Sequence, residues 1–162
     1  MNRKRFKTIA VGVVGACICG VLALRMASAT PNVGLNTTIV SGPTRLEEVH
    51  LNTHNVPLDH AFRLKTKGPS NVYVAYNILA PGGQTGWHSH PGPSIISVRS
   101  GVATGYDSDA PGVPHVYAAG TSFVDDGEGA HLVRNEGNVN LELVAFQVLP
   151  AGAPRRIDEP AP

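Results

Sequence analysis

The stretch "TGWHSHPG", residues 85–92, places His88 and His90 two positions apart. On a β-strand, side chains at i and i+2 point to the same face, so these two imidazoles would lie side by side. Two adjacent imidazoles can share one metal ion, but most pairs at this spacing are solvated or hydrogen-bonded instead. The flanking sequence is therefore needed to distinguish a metal site from two surface histidines.

The segments on both sides of this stretch predict an all-β domain. Short runs rich in β-branched and aromatic residues alternate with Gly- and Pro-rich turns, and no stretch after residue 30 has a helical apolar period. Such strands are typical of a barrel or sandwich. The turn "EGN" predicts that the last two strands form a hairpin. The predicted strands are 38–40, 71–79, 94–99, 102–107, 115–119, 121–124, 130–135 and 139–149, with a strand and then a loop in 45–60.

The histidine pair belongs to a longer pattern. The first segment reads G-x5-H-x-H-x3-S-x6-G from Gly82 to Gly101, and the second reads G-x5-D-x-E-x2-H-x3-N from Gly120 to Asn135. Both resemble the signature motifs of the cupin superfamily, G-x5-H-x-H-x3-4-E-x6-G and G-x5-P-x-G-x2-H-x3-N. The resemblance covers residues 71–149 and implies a double-stranded β-helix, or jelly-roll, barrel.

The resemblance also implies a metal centre. Its motif histidines, here His88, His90 and His131, would converge in the barrel mouth on one divalent transition metal, and Fe, Mn, Ni, Zn and Cu are not distinguished. The family's glutamate position holds Ser94, which removes the only anionic ligand. A three-histidine site favours a bound hydroxide or an anionic, chelating ligand. Gln84 and Ser94 are the candidates for a fourth ligand or for the ligand pocket.

Strand alternation predicts which other side chains face inward. Counting from His88 and His90 places Ser94, Ile96 and Val98 inside. The same count directs Trp87 away from the histidines.

Further candidates lie outside this count. Tyr106 and His115 are weaker candidates for the pocket. Asp126 and Glu128 replace the proline and glycine of the second motif, and either could accept a hydrogen bond from an imidazole.

The N-terminal sequence predicts a secretory signal peptide at residues 1–29. The basic "MNRKRFK" precedes an apolar run, and "ASA" at 27–29 provides a small-residue cleavage site. An uncleaved membrane anchor is the alternative. We expect an N-terminal arm at 30–44, the cupin barrel at 45–150, and a Pro-rich tail at 151–162 that packs on the barrel or trails from it.

Cleavage would change the charge of the chain. The remaining eight Lys+Arg and 12 Asp+Glu give a net charge of −4, which argues against nucleic acid as a partner. Both cysteines lie in the leader, so the mature chain would have no disulfide and no thiolate ligand.

These observations predict a secreted or periplasmic cupin that binds a metal and a small, anionic organic molecule. A metal-dependent oxygenase or isomerase is one interpretation. The alternative is a non-catalytic module that binds a small molecule. The run "NLELVAFQVL" is apolar on both strand faces, which suggests homodimerisation through edge strands.

Overall fold

The computed structural model describes residues 28–55, 57 and 59–162, and these residues form twelve β-strands. The strands are β1 (Val33–Leu46), β2 (His50–Asn55), β3 (His60–Lys65), β4 (Ser70–Gln84), β5 (His88–Ser89), β6 (Ser94–Ser100), β7 (Val102–Asp107), β8 (His115–Ala118), β9 (Ser122–Asp125), β10 (His131–Arg134), β11 (Leu141–Pro150) and β12 (Ile157–Asp158). The predicted all-β class is confirmed.

Strand β4 is the centre of the main sheet, whose strand order is β12-β5-β10-β4-β11-β6-β9. Strand β1 also pairs with β4, and β7 connects β10 to β8. At the end of β8, Ala119 N and Gly120 N donate hydrogen bonds to Gly101 O and Val98 O beside β6. These bonds bring β8 round to β6, so the sheet curls into a nearly closed barrel.

Alternating burial along the strands defines the barrel interior. On β6, Ser94, Ile96 and Val98 are buried, whereas Ile95 and Arg99 face solvent, in agreement with the predicted alternation. Strand β11 is buried at every second position, where apolar side chains and the polar Gln147 face inward. The apolar core consists of Ala75, Leu79, Ile96, Val98, Ala103, Val133, Leu141, Leu143 and Ala145.

The predicted hairpin between the last two strands is wrong, because β4 lies between β10 and β11. The side chain of Asn135 explains the connection. Its Nδ2 donates to Leu79 O on β4 and to Val139 O, and its Oδ1 accepts a hydrogen bond from Gly137 N. The turn therefore crosses the end of β4 instead of folding β11 back onto β10.

The segments before β4 contain more β-strand than the sequence predicted. The expected arm contains β1, which pairs with β4 from Val33 to Leu46 rather than only at 38–40. Of residues 45–60, predicted as a strand and then a loop, 45–46 end β1 and 50–55 form β2, which pairs with β3 in the β2–β3 hairpin, a separate two-stranded sheet. Both hairpin strands are mostly polar and exposed, so they show no alternating apolar pattern.

The C-terminal tail packs on the barrel. Strand β12 pairs with β5, and Pro160 forms an isolated bridge with Ala29. Of the predicted signal peptide, residues 1–29, all but Ser28 and Ala29 lie outside the described residues, so cleavage and localisation stay predictions. Within the described part of the chain, no helix has the length and apolarity required to cross a membrane.

Candidate metal centre

Three histidines converge inside the barrel. His88 on β5 lies directly opposite His131 on β10, and His90 follows β5 by one residue. The ring centroid of His88 is 4.9 Å from that of His90 and 4.3 Å from that of His131, and the last two centroids are 5.4 Å apart. One donor nitrogen from each ring lies within 4.8 Å of the others. The strand pairing therefore brings the two motif segments to one point.

Backbone hydrogen bonds set the tautomers of two of these rings. His88 Nδ1 lies 2.9 Å from Gly86 O, and His90 Nδ1 lies 2.6 Å from Arg155 O. A carbonyl oxygen only accepts, so each Nδ1 carries the proton and each Nε2 keeps its lone pair. Metal-binding histidines characteristically donate their second ring nitrogen in this way. The donor set thus fits a divalent transition metal.

Burial keeps the three imidazoles neutral. Burial is the largest cause that lowers the pKa of His88 from 6.5 to about 2, and charge repulsion from His131 and Arg156 contributes to the same shift. Burial also lowers the pKa values of His90 and His131, although the Asp125 carboxylate opposes this in both. Neutral rings have the lone pairs that a metal ion requires.

Asp125 is the carboxylate nearest to these rings. Its Oδ1 lies 3.7 Å from His131 Nδ1, and its Oδ2 lies 4.0 Å from His90 Nε2. Oδ1 accepts a hydrogen bond from Gly127 N, whereas Oδ2 is buried and has no hydrogen-bond partner among the described residues. A buried carboxylate oxygen in this state needs a donor or a cation. Asp125 does not belong to the set of three donors that lie within 4.8 Å of one another. Its carboxylate is therefore a neighbour of the donor set rather than a member of it.

The histidines line a cavity of about 200 Å³. Its lining combines apolar side chains with a hydrogen-bonded chain of polar side chains. In that chain, Arg155 donates to Gln147 Oε1 (3.1 Å), and Gln147 Nε2 donates to Ser94 Oγ (3.0 Å). The cavity is lined by Asn32, Leu35, Thr37, Asn77, Thr85, His88, His90, Ser94, Ile96, Phe123, Asp125, His131, Val133, Leu143, Ala145, Gln147, Arg155 and Arg156.

The sequence and its comparison with known families agree with this geometry. A family model described as "Cupin domain" matches residues 75–147, which include all three histidines. Residues 75–147 therefore form a cupin domain. None of the curated proteins matches it significantly.

Several solved cupin-like structures are similar to this cupin. A Klebsiella pneumoniae protein with a double-stranded β-helix domain is 20% identical over 70% of this chain and 85% of that chain, with a TM-score of 0.46. The cupin domain of an XRE family transcriptional regulator from Enterobacter cloacae is 14% identical over 76% and 100% of the two chains (TM-score 0.46). A predicted oxalate decarboxylase from Thermotoga maritima is 26% identical over 51% and 83% (TM-score 0.42). The chemistry of this cupin therefore has to be read from its own cavity.

Of the predicted pocket residues, Ser94 lines the cavity and Gln84 does not. The reason is a break in strand alternation between β4 and β5. Gly86 adopts a φ of +70°, which turns the backbone and places Thr85 in the cavity wall instead. Thr85 Oγ1 accepts a hydrogen bond from Val133 N and donates one to Gly86 O. Trp87 is buried and lies outside the lining, in agreement with the prediction that it faces away.

Tyr106 and His115 lie in a neighbouring cavity of about 500 Å³, which shares Asp125 and His131 with the first. Tyr106 donates its hydroxyl to Glu136, and His115 Nε2 lies 3.4 Å from Asp107 Oδ2. The structure therefore does not bring these two residues into the cavity that the three histidines share.

Asp126 and Glu128 also line only the neighbouring cavity. Asp126 Oδ1 accepts a hydrogen bond from Glu128 N, which shapes the turn after β9. The carboxylate that approaches the histidines is thus that of Asp125, one residue before the predicted Asp126.

Several other polar residues of the cavity lining besides Thr85 were not predicted from the sequence, among them Gln147, Asp125, Arg155 and Arg156. Gln147 occupies an inward position of β11. A polar residue at an inward position of an apolar strand could have indicated that it faces a site. Asp125 is placed by the pairing of β9 with β6, and Arg155 and Arg156 come from the tail. No local pattern predicts the last three, because their positions depend on contacts that are distant in sequence.

Proposed function

We propose that this cupin binds one divalent transition metal through His88, His90 and His131, together with a small organic ligand in the barrel cavity. The observation that carries the proposal is the pair of backbone hydrogen bonds at Nδ1 of His88 and His90. They leave both Nε2 atoms available, in a cavity that also contains the third imidazole. Neutral, buried rings with fixed tautomers support metal binding better than a solvated histidine cluster would.

The bound metal would act as a Lewis acid or as a site for O₂, as in an oxygenase or isomerase. The chain's own residues would orient the ligand and exclude water from it. Asp125 is the one carboxylate of the lining, so it is the group available to balance the charge of the metal or to hold a proton near the histidines. A secreted or periplasmic location is part of this proposal. It rests on the basic, apolar and small-residue segments of residues 1–29.

A non-catalytic binding module is the second candidate, and one observation favours it. Several polar groups of the cavity are already engaged within the protein. Gln147 bonds to Ser94 and Arg155, and Thr85 bonds to the backbone. Such groups hold a ligand in place but leave few sites for proton transfer. Homodimerisation is compatible with either candidate and stays a prediction.

Oxygen consumption and water exchange distinguish the two candidates. The full chain, loaded in turn with Fe(II), Mn(II) and Zn(II), is mixed with small carboxylic acids while dissolved oxygen and substrate are followed. Turnover with one metal, absent in the His131→Ala variant, supports an enzyme. Tight metal binding with exchangeable water but no turnover supports the binding module. Failure to bind any of the three metals contradicts the proposed metal site and leaves a module that binds a small molecule without a metal.

A further inference from the structure

Arg155 is held at the cavity wall from two directions. Its backbone O accepts the hydrogen bond from His90 Nδ1, and its guanidinium donates to Gln147 Oε1. The pairing of β12 with β5 anchors the tail directly after it, with Asp158 opposite His88. The guanidinium is therefore positioned beside the histidines by the fold rather than by a flexible terminus.

The charge of Arg155 is not balanced within the described part of the chain. Arg156, its neighbour, pairs with Asp158 at 2.6 Å and donates to Thr85 O at 2.7 Å. Arg155 forms no salt bridge with any described carboxylate, and its recorded side-chain hydrogen bond goes to a neutral amide. Arg155 is partly buried and is followed directly by the like charge of Arg156, and a partly buried charge without a counterion is costly. A bound anion would remove that cost.

The shape of the cavity limits what the anion can be. Its volume of about 200 Å³ is below the roughly 300–1,000 Å³ of pockets for drug-sized ligands, which favours a small molecule. Ile96, Val133, Leu143 and Ala145 form an apolar wall on which a hydrocarbon segment can pack. An inorganic oxyanion has no such segment. A guanidinium matches the two oxygens of a carboxylate with parallel hydrogen bonds.

We propose that Arg155 binds the carboxylate of a small organic acid whose hydrocarbon part packs against this apolar wall. The inference rests on the proposed function, because it names the ligand class of the same cavity. It assigns to the tail a role in recognition, so that the barrel site is complete only with the segment that follows β11.

Calorimetric titration of four proteins tests this proposal: wild type, Arg155→Gln, Arg155→Lys and the control Arg63→Gln. Arg63 is exposed on the β2–β3 hairpin, outside the barrel sheet. The probes are propionate and malonate, the uncharged analogue propionamide, and inorganic phosphate. Metal content and melting temperature are measured for every variant, so that loss of the metal site or of the fold is distinguished from loss of the anion contact.

We expect wild type and Arg63→Gln to bind at least one of the two carboxylates, and propionamide and phosphate more weakly. Arg155→Gln should bind it about 10- to 100-fold more weakly with unchanged metal content. Arg155→Lys should lose part of the affinity, because lysine lacks the paired donors. If Arg155→Gln does not fold, equal carboxylate affinity in Arg155→Lys and wild type overturns the proposal.

Equal affinity in Arg155→Gln and wild type overturns it as well, as does tighter binding of phosphate. A wild type that binds metal but neither carboxylate contradicts this inference and leaves the metal site intact. A wild type that binds carboxylate through Arg155 but no metal supports the inference and contradicts the proposed function.

Discussion

Ser94 on β6 and Asp125 on β9 are direct antiparallel partners, and both side chains line the cavity that contains the three histidines. In the cupin motif the position of Ser94 holds a glutamate, so the expected anionic group is absent from β6. The neighbouring strand provides a carboxylate beside that position instead. Asp125 keeps one oxygen without a hydrogen-bond partner among the described residues, within 4.0 Å of His90 Nε2. The cavity lining therefore contains a carboxylate despite the missing glutamate.

Replacing Asp125 with asparagine should weaken metal binding. The substitution keeps an oxygen for the Gly127 hydrogen bond but removes the charge beside His90 and His131. Substitution of a residue that contacts the metal ligands typically lowers metal affinity about 10- to 100-fold, and we expect a loss in that range. Competition with a chromophoric chelator measures it. The control is Asp126→Asn, an exposed neighbour, and an equal effect of both substitutions would contradict the role of Asp125.

Asn135 should be important for stability rather than for binding. Its buried amide joins the turn after β10 to Leu79 on β4 and to Val139. Alanine would leave these carbonyl oxygens without their donor, and we expect the free energy of unfolding to fall by about 2–4 kcal/mol. Denaturant unfolding provides the measurement. The exposed Asn138→Ala is the matched control, and similar small losses in the two variants would argue against this role.

The metal-free protein should lose stability as the solution becomes mildly acidic. Burial lowers the pKa of His88 to about 2 in the folded chain from an ordinary value of 6.5. Below that ordinary value the unfolded chain takes up a proton at His88 that the folded chain excludes, so folding becomes less favourable as the pH falls. His88 alone contributes up to about 1.4 kcal/mol for each pH unit in this window.

Unfolding in the presence of a chelator, between about pH 7.5 and about pH 5.5, measures this slope. The slope should be smaller in His88→Gln and unchanged in His50→Gln, because His50 is exposed. A wild-type stability that does not change over this range would show that the buried imidazoles are not the titrating groups.

The parts of the site that follow from the sequence depend on local spacing. The intervals between Gly82 and Gly101 and between Gly120 and Asn135 predicted the barrel and the three histidines as one cluster. Alternation predicted the inward side chains of β6, because no glycine turn interrupts that strand. It did not hold at Gln84, because Gly86, with a φ of +70°, interrupts the alternation before His88.

Other features could not be predicted because they depend on distant contacts. Asp125 faces the cavity through the pairing of β9 with β6, and Arg155 reaches it because the tail folds back along β5. The β2–β3 hairpin has too few buried apolar positions to produce an alternating pattern. In each case the information lies in which strands become neighbours.

Metal content is the most direct test of the central claim that His88, His90 and His131 form a metal site. Protein purified without chelator should contain close to one transition-metal ion per chain by elemental analysis. His88→Ala should contain almost none, whereas His115→Ala should match wild type, since His115 lies only in the neighbouring cavity. Equally negligible metal in wild type and His88→Ala, even after reconstitution, would contradict the account.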